Sequence, residues 1–305
     1  MQRSAVLGAQ ERVARANPLV ALWRFGRPHT VIGTLTSIAG LYLIAVAQDS
    51  APGVGDLAWT LVAGYGVNVF IVGLNQITDV EIDRINKPYL PIAAGDLTMT
   101  QAWWIVGICG AVPVLLALTQ GPVELAGVLA MGVGALVVAY LGMAVLGPLL
   151  LGGDVQPIVL AGGNLAVYAH FAGDIAGPVW ALTLFVAPFS FAIAILKDVP
   201  DIEGDRRYQI ATFTLRLGAR RVLGIGVGAL VLAYVGMAVL GPLMLGDDVQ
   251  PVVLAAGNLA ALAVALVGAS RVDVGDRDSF WRFYMRVWML FFAEYALMAV
   301  ACLAA

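Results

Sequence analysis

The chain has 305 residues, 61% of them hydrophobic and only 12% charged. Soluble domains carry about twice that share of charge, so too few polar side chains are present to cover an apolar core in water. Composition thus excludes a soluble globular domain, gives no reason to expect a nucleic-acid partner at a net charge of −3, and predicts an all-α polytopic bundle with lipid as its solvent.

Residues 1–18 read as an N-terminal cytoplasmic segment, with Arg3, Arg12 and Arg15 beside Glu11. It shows no apolar run followed by a cleavage site, so a signal peptide is not expected there. Residues 19–305 read as one transmembrane domain. Nine apolar segments follow in order: 29–47, 57–78, 102–119, 123–147, 155–173, 178–196, 221–245, 250–269 and 285–303. Each is near the roughly 20 residues that cross a bilayer core. Gly and Pro interrupt the third to fifth, which membrane helices tolerate when neighbours satisfy the freed backbone groups.

The basic residues set the orientation. Arg24 and Arg27 precede the first segment, Arg84 and Lys87 follow the second, Lys197 to Arg221 follow the sixth, and Arg271 to Arg286 follow the eighth. With nine spans and a cytoplasmic N-terminus, all 17 basic residues fall on one side, as the positive-inside rule requires. The opposite loops, 48–56, 120–122, 174–177 and 246–249, carry none. Cys109 and Cys302 lie in apolar runs and read as packing residues. A bacterial inner membrane or a photosynthetic membrane is the expected location.

One cytoplasmic loop breaks the charge pattern. No Lys or Arg stands between Lys87 and Lys197, so the loop near 149–155 has none. A repeat sits there: 139–166 matches 233–260 at 23 of 28 positions. Nine spans would place the two copies in opposed orientations, which points to a duplicated or substituted segment rather than to transporter-type repeats.

Two acidic motifs carry chemistry. After the second segment, Asn75, Asp79 and Asp83 follow one another at intervals of four. Helical spacing stacks them on one face, and three oxygen-bearing side chains there form a hard-cation site suited to magnesium with phosphates and water. After the sixth segment, Asp198, Asp201 and Asp205 stand at i, i+3 and i+7, again on one helical face, although Pro200 and Gly204 loosen it. Lys197 and Arg206 flank this set and suit phosphate oxygens. Glu81 and Glu203 point off these faces and are expected to be solvated or ion-paired. Either motif alone would also fit a solvated helix end; two in matching places, each beside cations, fit metal and polyanion binding.

These residues resemble the paired signatures of the UbiA superfamily of intramembrane prenyltransferases. The run from Asn75-Gln76 through Lys87-Pro88-Tyr89-Leu90-Pro91, with Lys197-Asp198 to Gly204-Asp205, is most similar to the homogentisate prenyltransferase branch, which uses phytyl, geranylgeranyl or solanesyl donors. Trp23 to Phe25, Arg27 to Thr30, Asn164-Leu165, His170-Phe171, Arg216 to Gly218 and Glu294-Tyr295 extend the likeness over about 20–300. It implies nine helices around a central cavity with the aspartates at its cytoplasmic mouth. It implies two magnesium ions bridging the motifs and a prenyl diphosphate, one held by Asn75, Asp79 and Asp83, the other by Asp201 and Asp205 with Asp198 nearby. Lys197, Arg27 and Arg206 become candidates for diphosphate contacts. The implied reaction ionises the allylic C–O bond, the acceptor ring attacks the carbocation, and homogentisate loses its acetate carboxyl as carbon dioxide. Acceptors such as 4-hydroxybenzoate, a naphthoate or chlorophyllide fit the superfamily, but the KPYLP run weighs against them.

Other polar residues carry two readings. His29 contacts substrate or packs the start of the first segment. His170 binds the acceptor or makes an interhelical hydrogen bond. Tyr65, Asn68 and Asn164 bond between helices or line the cavity. Trp103, Trp104 and Trp288 are expected in interfacial belts.

The resemblance fails at one place. Members of the branch carry a tyrosine, two prolines and a short Arg/Lys run between the fourth and fifth helices, and here the first repeat copy replaces it. The loss predicts a normal bundle with weak catalysis, or a noncatalytic membrane protein. A transporter is the other reading from a different class; it expects carboxylates near mid-membrane on broken helices, whereas these motifs stand at one face beside cations.

Overall fold

The computed structural model describes residues 17–129, 156–210 and 212–305. Among them the chain is helical, in the order α1 (Pro18–Phe25), α2 (Pro28–Ala47), α3 (Val54–Thr78), α4 (Val80–Asn86), α5 (Pro91–Ala94), α6 (Met99–Gln120), α7 (Pro122–Leu129), α8 (Gln156–Ala172), α9 (Gly177–Leu196), α10 (Ile202–Arg207), α11 (Phe213–Leu217), α12 (Ala219–Leu245), a 3₁₀ turn (Gly246–Asp248), α13 (Pro251–Ser270) and α14 (Arg277–Leu303). Local chemistry sets many boundaries. Proline opens α1, α2 and α5, where its missing N–H is no loss. Thr98 and Gln101 form a reciprocal cap at the start of α6.

Seven helices are long and apolar enough to cross a membrane: α2, α3, α6, α9, α12 with its 3₁₀ turn, α13 and α14. Of the two other expected segments, 123–147 is described only as α7, and 155–173 as the 17-residue α8. The loop at 149–155 and most of the first repeat copy lie outside the described residues. The short helices α1, α4, α5, α10 and α11 were not anticipated from the apolar pattern; α4 and α10 carry the aspartate motifs.

Among the described residues each long helix packs on the next through α7 and α8, and α14 returns to α2, closing a ring. Aromatic side chains fill much of its interior. Phe185, Phe189 and Tyr234 meet edge to face or stacked, and Phe291, Trp288 and Tyr295 continue the set along α14. Trp288 is therefore not an interfacial residue: it is 4% exposed and meets His29 at 5.1 Å between ring centroids. Trp103 and Trp104 are exposed, as a belt requires. The outer surface carries Leu115, Leu118, Leu184, Leu232 and Leu243, all exposed, which suits lipid rather than water.

Lipid removes the hydrophobic drive for helices to associate, so close packing and hydrogen bonds hold the ring. Tyr295 Oη donates to Asn164 Oδ1 at 2.8 Å, joining α14 to α8. Asn258, the repeat equivalent of Asn164, lies against the neighbouring Glu294. The α3–α6 crossing depends on Gly66, where a Cβ would meet the Cys109 carbonyl at 2.9 Å and Pro113 at 2.7 Å. Gly66→Val should lower stability by about 1–3 kcal/mol, read as a fall in the thermal midpoint in detergent. Gly107→Val is the control, because its Cβ meets open space; equal effects of the two substitutions would remove the packing argument.

Candidate active site

The first motif spans a bend. Asp79 caps the end of α3 and starts α4 (φ −106°, ψ 16°). The helical ladder continues across it: Asp79 N–H donates to the Asn75 carbonyl at 2.9 Å and Asp83 N–H to the Asp79 carbonyl at 2.8 Å. The three side chains thus stay in helical succession, as their spacing predicts. Asn75 and Asp79 are exposed, whereas Asp83 is buried at 4% exposure. Glu81 points off this face and pairs with Arg84.

The second motif departs from its helical spacing. Residues 197–201 form a turn at the end of α9, because proline disfavours the helical conformation in the residue before it. Asp201 caps α10, and Asp205 lies in its first turn. The Asp198 carbonyl accepts the Asp201 N–H at 3.3 Å. Asp201 and Asp205 are buried, Arg206 and Glu203 exposed.

Two residues that sequence spacing left out of the site join the motifs. The Lys87 ammonium is paired with Asp201 and stands 4.0 Å from Asp83 Oδ1. The Asn86 amide accepts the Gly204 N–H at 2.9 Å and reaches Asp205 Oδ1 at 3.4 Å. The Asn86 carbonyl in turn accepts Arg277 at the start of α14. In the sequence Lys87 reads as an orientation charge, and both it and Asn86 stand inside the first motif run; only the fold turns them toward residues over 110 positions away.

The electrostatics are those of a site rich in carboxylate. Burial, only partly offset by Lys87 and Arg27, pushes the Asp83 carboxyl up to about 6. Burial and then the charge of Asp201 push Asp205 up to about 6, against Lys87, the Asn86 bond and Lys197. Asp83 Oδ2 is buried without a hydrogen-bond donor. Among the described residues no three acidic, His or Cys side chains converge closely enough to hold an ion as they stand; the lysine occupies the space between the two motifs. The donor set is nevertheless one for a hard cation: oxygen ligands, an orphaned carboxylate oxygen and too little positive charge. A divalent ion fits these residues.

The remaining predicted residues divide by position. Arg27, held at φ 52° between α1 and α2, and Lys197 both act electrostatically on the aspartates. His29 stands just inside, against Trp288. Asn164 is buried with Tyr295. His170 is not gathered in: its Nδ1 meets Glu124 at 3.2 Å. Glu124 follows α6, whose 22 residues span about 33 Å away from the aspartate end.

The model of the UbiA prenyltransferase family matches residues 34–290. The chain belongs to the UbiA prenyltransferase family. It is thereby placed among integral membrane enzymes that transfer prenyl groups. It is 37% identical over 302 residues to homogentisate phytyltransferase of Synechocystis sp., covering 92% of this chain and 95% of that one. It is 34% identical to the chloroplastic homogentisate solanesyltransferase of Arabidopsis thaliana, covering 94% and 77%. Among solved structures, an apo UbiA homologue from Aeropyrum pernix superposes with a TM-score of 0.61 at 16% identity, over 91% of this chain and 98% of that one. A UbiA homologue from Archaeoglobus fulgidus bound to GPP and Mg2+ gives 0.55 at 17% identity, over 93% and 100%. At such identities these two establish the fold.

Proposed function

We propose that the protein transfers a prenyl group from a prenyl diphosphate to homogentisate, using magnesium held between the two aspartate motifs. The observation that carries this reading is the bridge of Lys87 between Asp83 and Asp201. It brings carboxylates from two distant segments around one cationic position, as a metal–diphosphate site requires. The kinship with homogentisate prenyltransferases supports the acceptor, and the homologue bound to GPP and Mg2+ supports the metal.

In this reading Asn75, Asp79 and Asp83 hold one ion, and Asp201 and Asp205, with Asp198 nearby, hold a second. Bound magnesium offsets the charge that develops on the departing diphosphate. Lys87, Arg27 and Lys197 supply further positive potential to its oxygens, with Arg206 at the rim. The allylic C–O bond breaks with its electron pair leaving on the diphosphate. Tyr284, Trp288 and Phe291 on α14 then offer ring faces that stabilise a cation without trapping it. His29, packed on Trp288 just inside the mouth, would meet the acceptor; Asn164 and His170 would contact substrate only deeper in the bundle. The ring carbon of homogentisate attacks the cation and gives up its proton, and the acetate carboxyl leaves as carbon dioxide while the carbon it leaves takes a proton and becomes a methyl group.

The reading takes 19–305 as one domain of nine spans around a central cavity with a cytoplasmic N-terminus, supported by the one-sided distribution of basic residues. A transporter would need carboxylates on interrupted helices at mid-depth; α14, which carries the deep Glu294, runs unbroken.

The test incubates membranes with magnesium, homogentisate and a panel of phytyl, geranylgeranyl and solanesyl diphosphates, and identifies the product by mass. A prenylated, decarboxylated ring is expected. Asp79→Ala should abolish it; unchanged product in that variant overturns the metal assignment.

A further inference from the structure

The Asn86 side chain lies between two backbones that share no sequence neighbourhood. It is 2% exposed, one helical turn beyond Asp83 on α4. Its Oδ1 accepts the Gly204 N–H at 2.9 Å, and its Nδ2 points to Asp205 Oδ1 at 3.4 Å. Its carbonyl is held by Arg277 of α14. Gly204 leaves no slack: a Cβ there would stand 2.5 Å from both polar atoms of the Asn86 amide. A glycine backbone and a buried amide are thus fitted face to face.

This contact joins the two motif runs through residues that are not among the ligands assigned to either ion. Asp83 precedes Asn86 by three residues on α4. Asp205 follows Gly204 directly, and Asp201 caps the same short helix. The separation of the two carboxylate sets is therefore fixed by how closely α10 approaches α4, and the Asn86–Gly204 bond sets that approach. Arg277 ties the same point to the helix that carries the aromatic wall.

We infer that Asn86 is a positioning residue that sets the spacing between the two aspartate motifs, and so tunes the affinity of the paired site for magnesium and diphosphate. The inference rests on the prenyl-diphosphate reading above. It assigns Asn86 no contact with substrate or metal; it acts through Gly204 and Asp205.

The test uses the full chain purified in detergent with magnesium and geranylgeranyl thiolodiphosphate, an analogue that resists ionisation. Calorimetry gives the apparent magnesium affinity, and thermal unfolding without magnesium gives the stability. Asn86→Ala and Gly204→Ala should each weaken magnesium binding by about tenfold or more, the loss expected for a buried hydrogen bond at a charged group. In Asn86→Ala/Gly204→Ala the added methyl meets the space left by the amide. The second substitution should then cost less than about twofold, a non-additivity that marks direct coupling. A purely structural role would lower the melting temperature and leave magnesium affinity at the wild-type value; that result overturns the inference, as does simple additivity of the two substitutions. Asp79→Ala separates the levels. Wild-type binding that is lost in Asp79→Ala but untouched in Asn86→Ala defeats the inference alone. A wild type that binds no magnesium with the analogue defeats both the inference and the reading beneath it.

Discussion

Asp83→Asn is expected to stabilise the magnesium-free protein while reducing prenyl transfer by roughly 10²–10³-fold, the scale of losing one charge-stabilising group from an active site. The two effects share a cause. Asp83 is 4% exposed, with Oδ2 lacking a donor and Lys87 no closer than 4.0 Å to Oδ1. The fold raises its carboxyl to about 6 because burial opposes ionisation. A raised acid in the folded state means that the fold binds the proton more tightly than the unfolded chain does. Stability is then greatest below about pH 4, falls as pH rises toward 6, and carries the full penalty at pH 7, on the order of 3 kcal/mol. Asparagine keeps the shape and removes the charge, so that penalty disappears. The magnesium-free wild type should melt higher at pH 5 than at pH 7. Asp83→Asn should flatten much of that slope and leave the part due to Asp205, which is raised to the same range. Magnesium reverses the argument: an ion needs both carboxylates ionised, so its apparent affinity in the wild type should fall as pH drops below about 6. A variant that melts lower than wild type at pH 7 without magnesium, or that keeps wild-type turnover, would show that Asp83 is not held in reserve for a cation.

Much of this site was legible in the sequence, for identifiable reasons. Intervals of four within a helix survive folding, so Asn75, Asp79 and Asp83 remained in succession even though α3 bends at Asp79. The second motif was legible as chemistry but not as geometry. Pro200 breaks the helix that the spacing of Asp198 and Asp205 implies, and Gly204, read as a loosening residue, serves to admit the Asn86 amide. Lys87 and Asn86 stand in the first motif run but had no assigned role at the site, because what matters is the element they face, and spacing along the chain does not encode that. Tryptophan composition misled at Trp288, since an indole suits an interface and a buried aromatic stack equally. The apolar periods gave the seven long spans but none of the short helices α4, α5, α10 and α11. Those are only four to seven residues long, too short for an apolar period to show, and prolines and caps set their boundaries.

The largest gain in activity is expected from a segment that carries none of the motif aspartates. Replacing 140–158 with a loop bearing a tyrosine, two prolines and an Arg/Lys run should raise prenyl transfer to homogentisate at sub-saturating donor by about tenfold or more. The chain has no Lys or Arg between Lys87 and Lys197, whereas members of the homogentisate branch, by the resemblance of the flanking motifs, place cations there. Nine spans with a cytoplasmic N-terminus, as proposed above, assign that stretch of sequence to the side of the membrane that carries the other basic residues. A unit charge about 10 Å from a diphosphate oxygen, at an effective dielectric near 20, contributes about 1–2 kcal/mol, and about 1.4 kcal/mol is a factor of ten. The metal ligands contribute nothing to this term, so they can be intact while the donor is held weakly. The effect should therefore appear mainly in the KM for prenyl diphosphate and should shrink as salt is raised from low ionic strength toward 0.15 M, where screening acts over about 8 Å. A Gly/Ser loop of equal length is the control. It removes the repeat copy without adding charge, and should leave turnover where it was. An equal gain from that neutral loop would locate the defect in the copied segment itself, and no gain from the basic loop in a magnesium-dependent membrane assay would refute the electrostatic account.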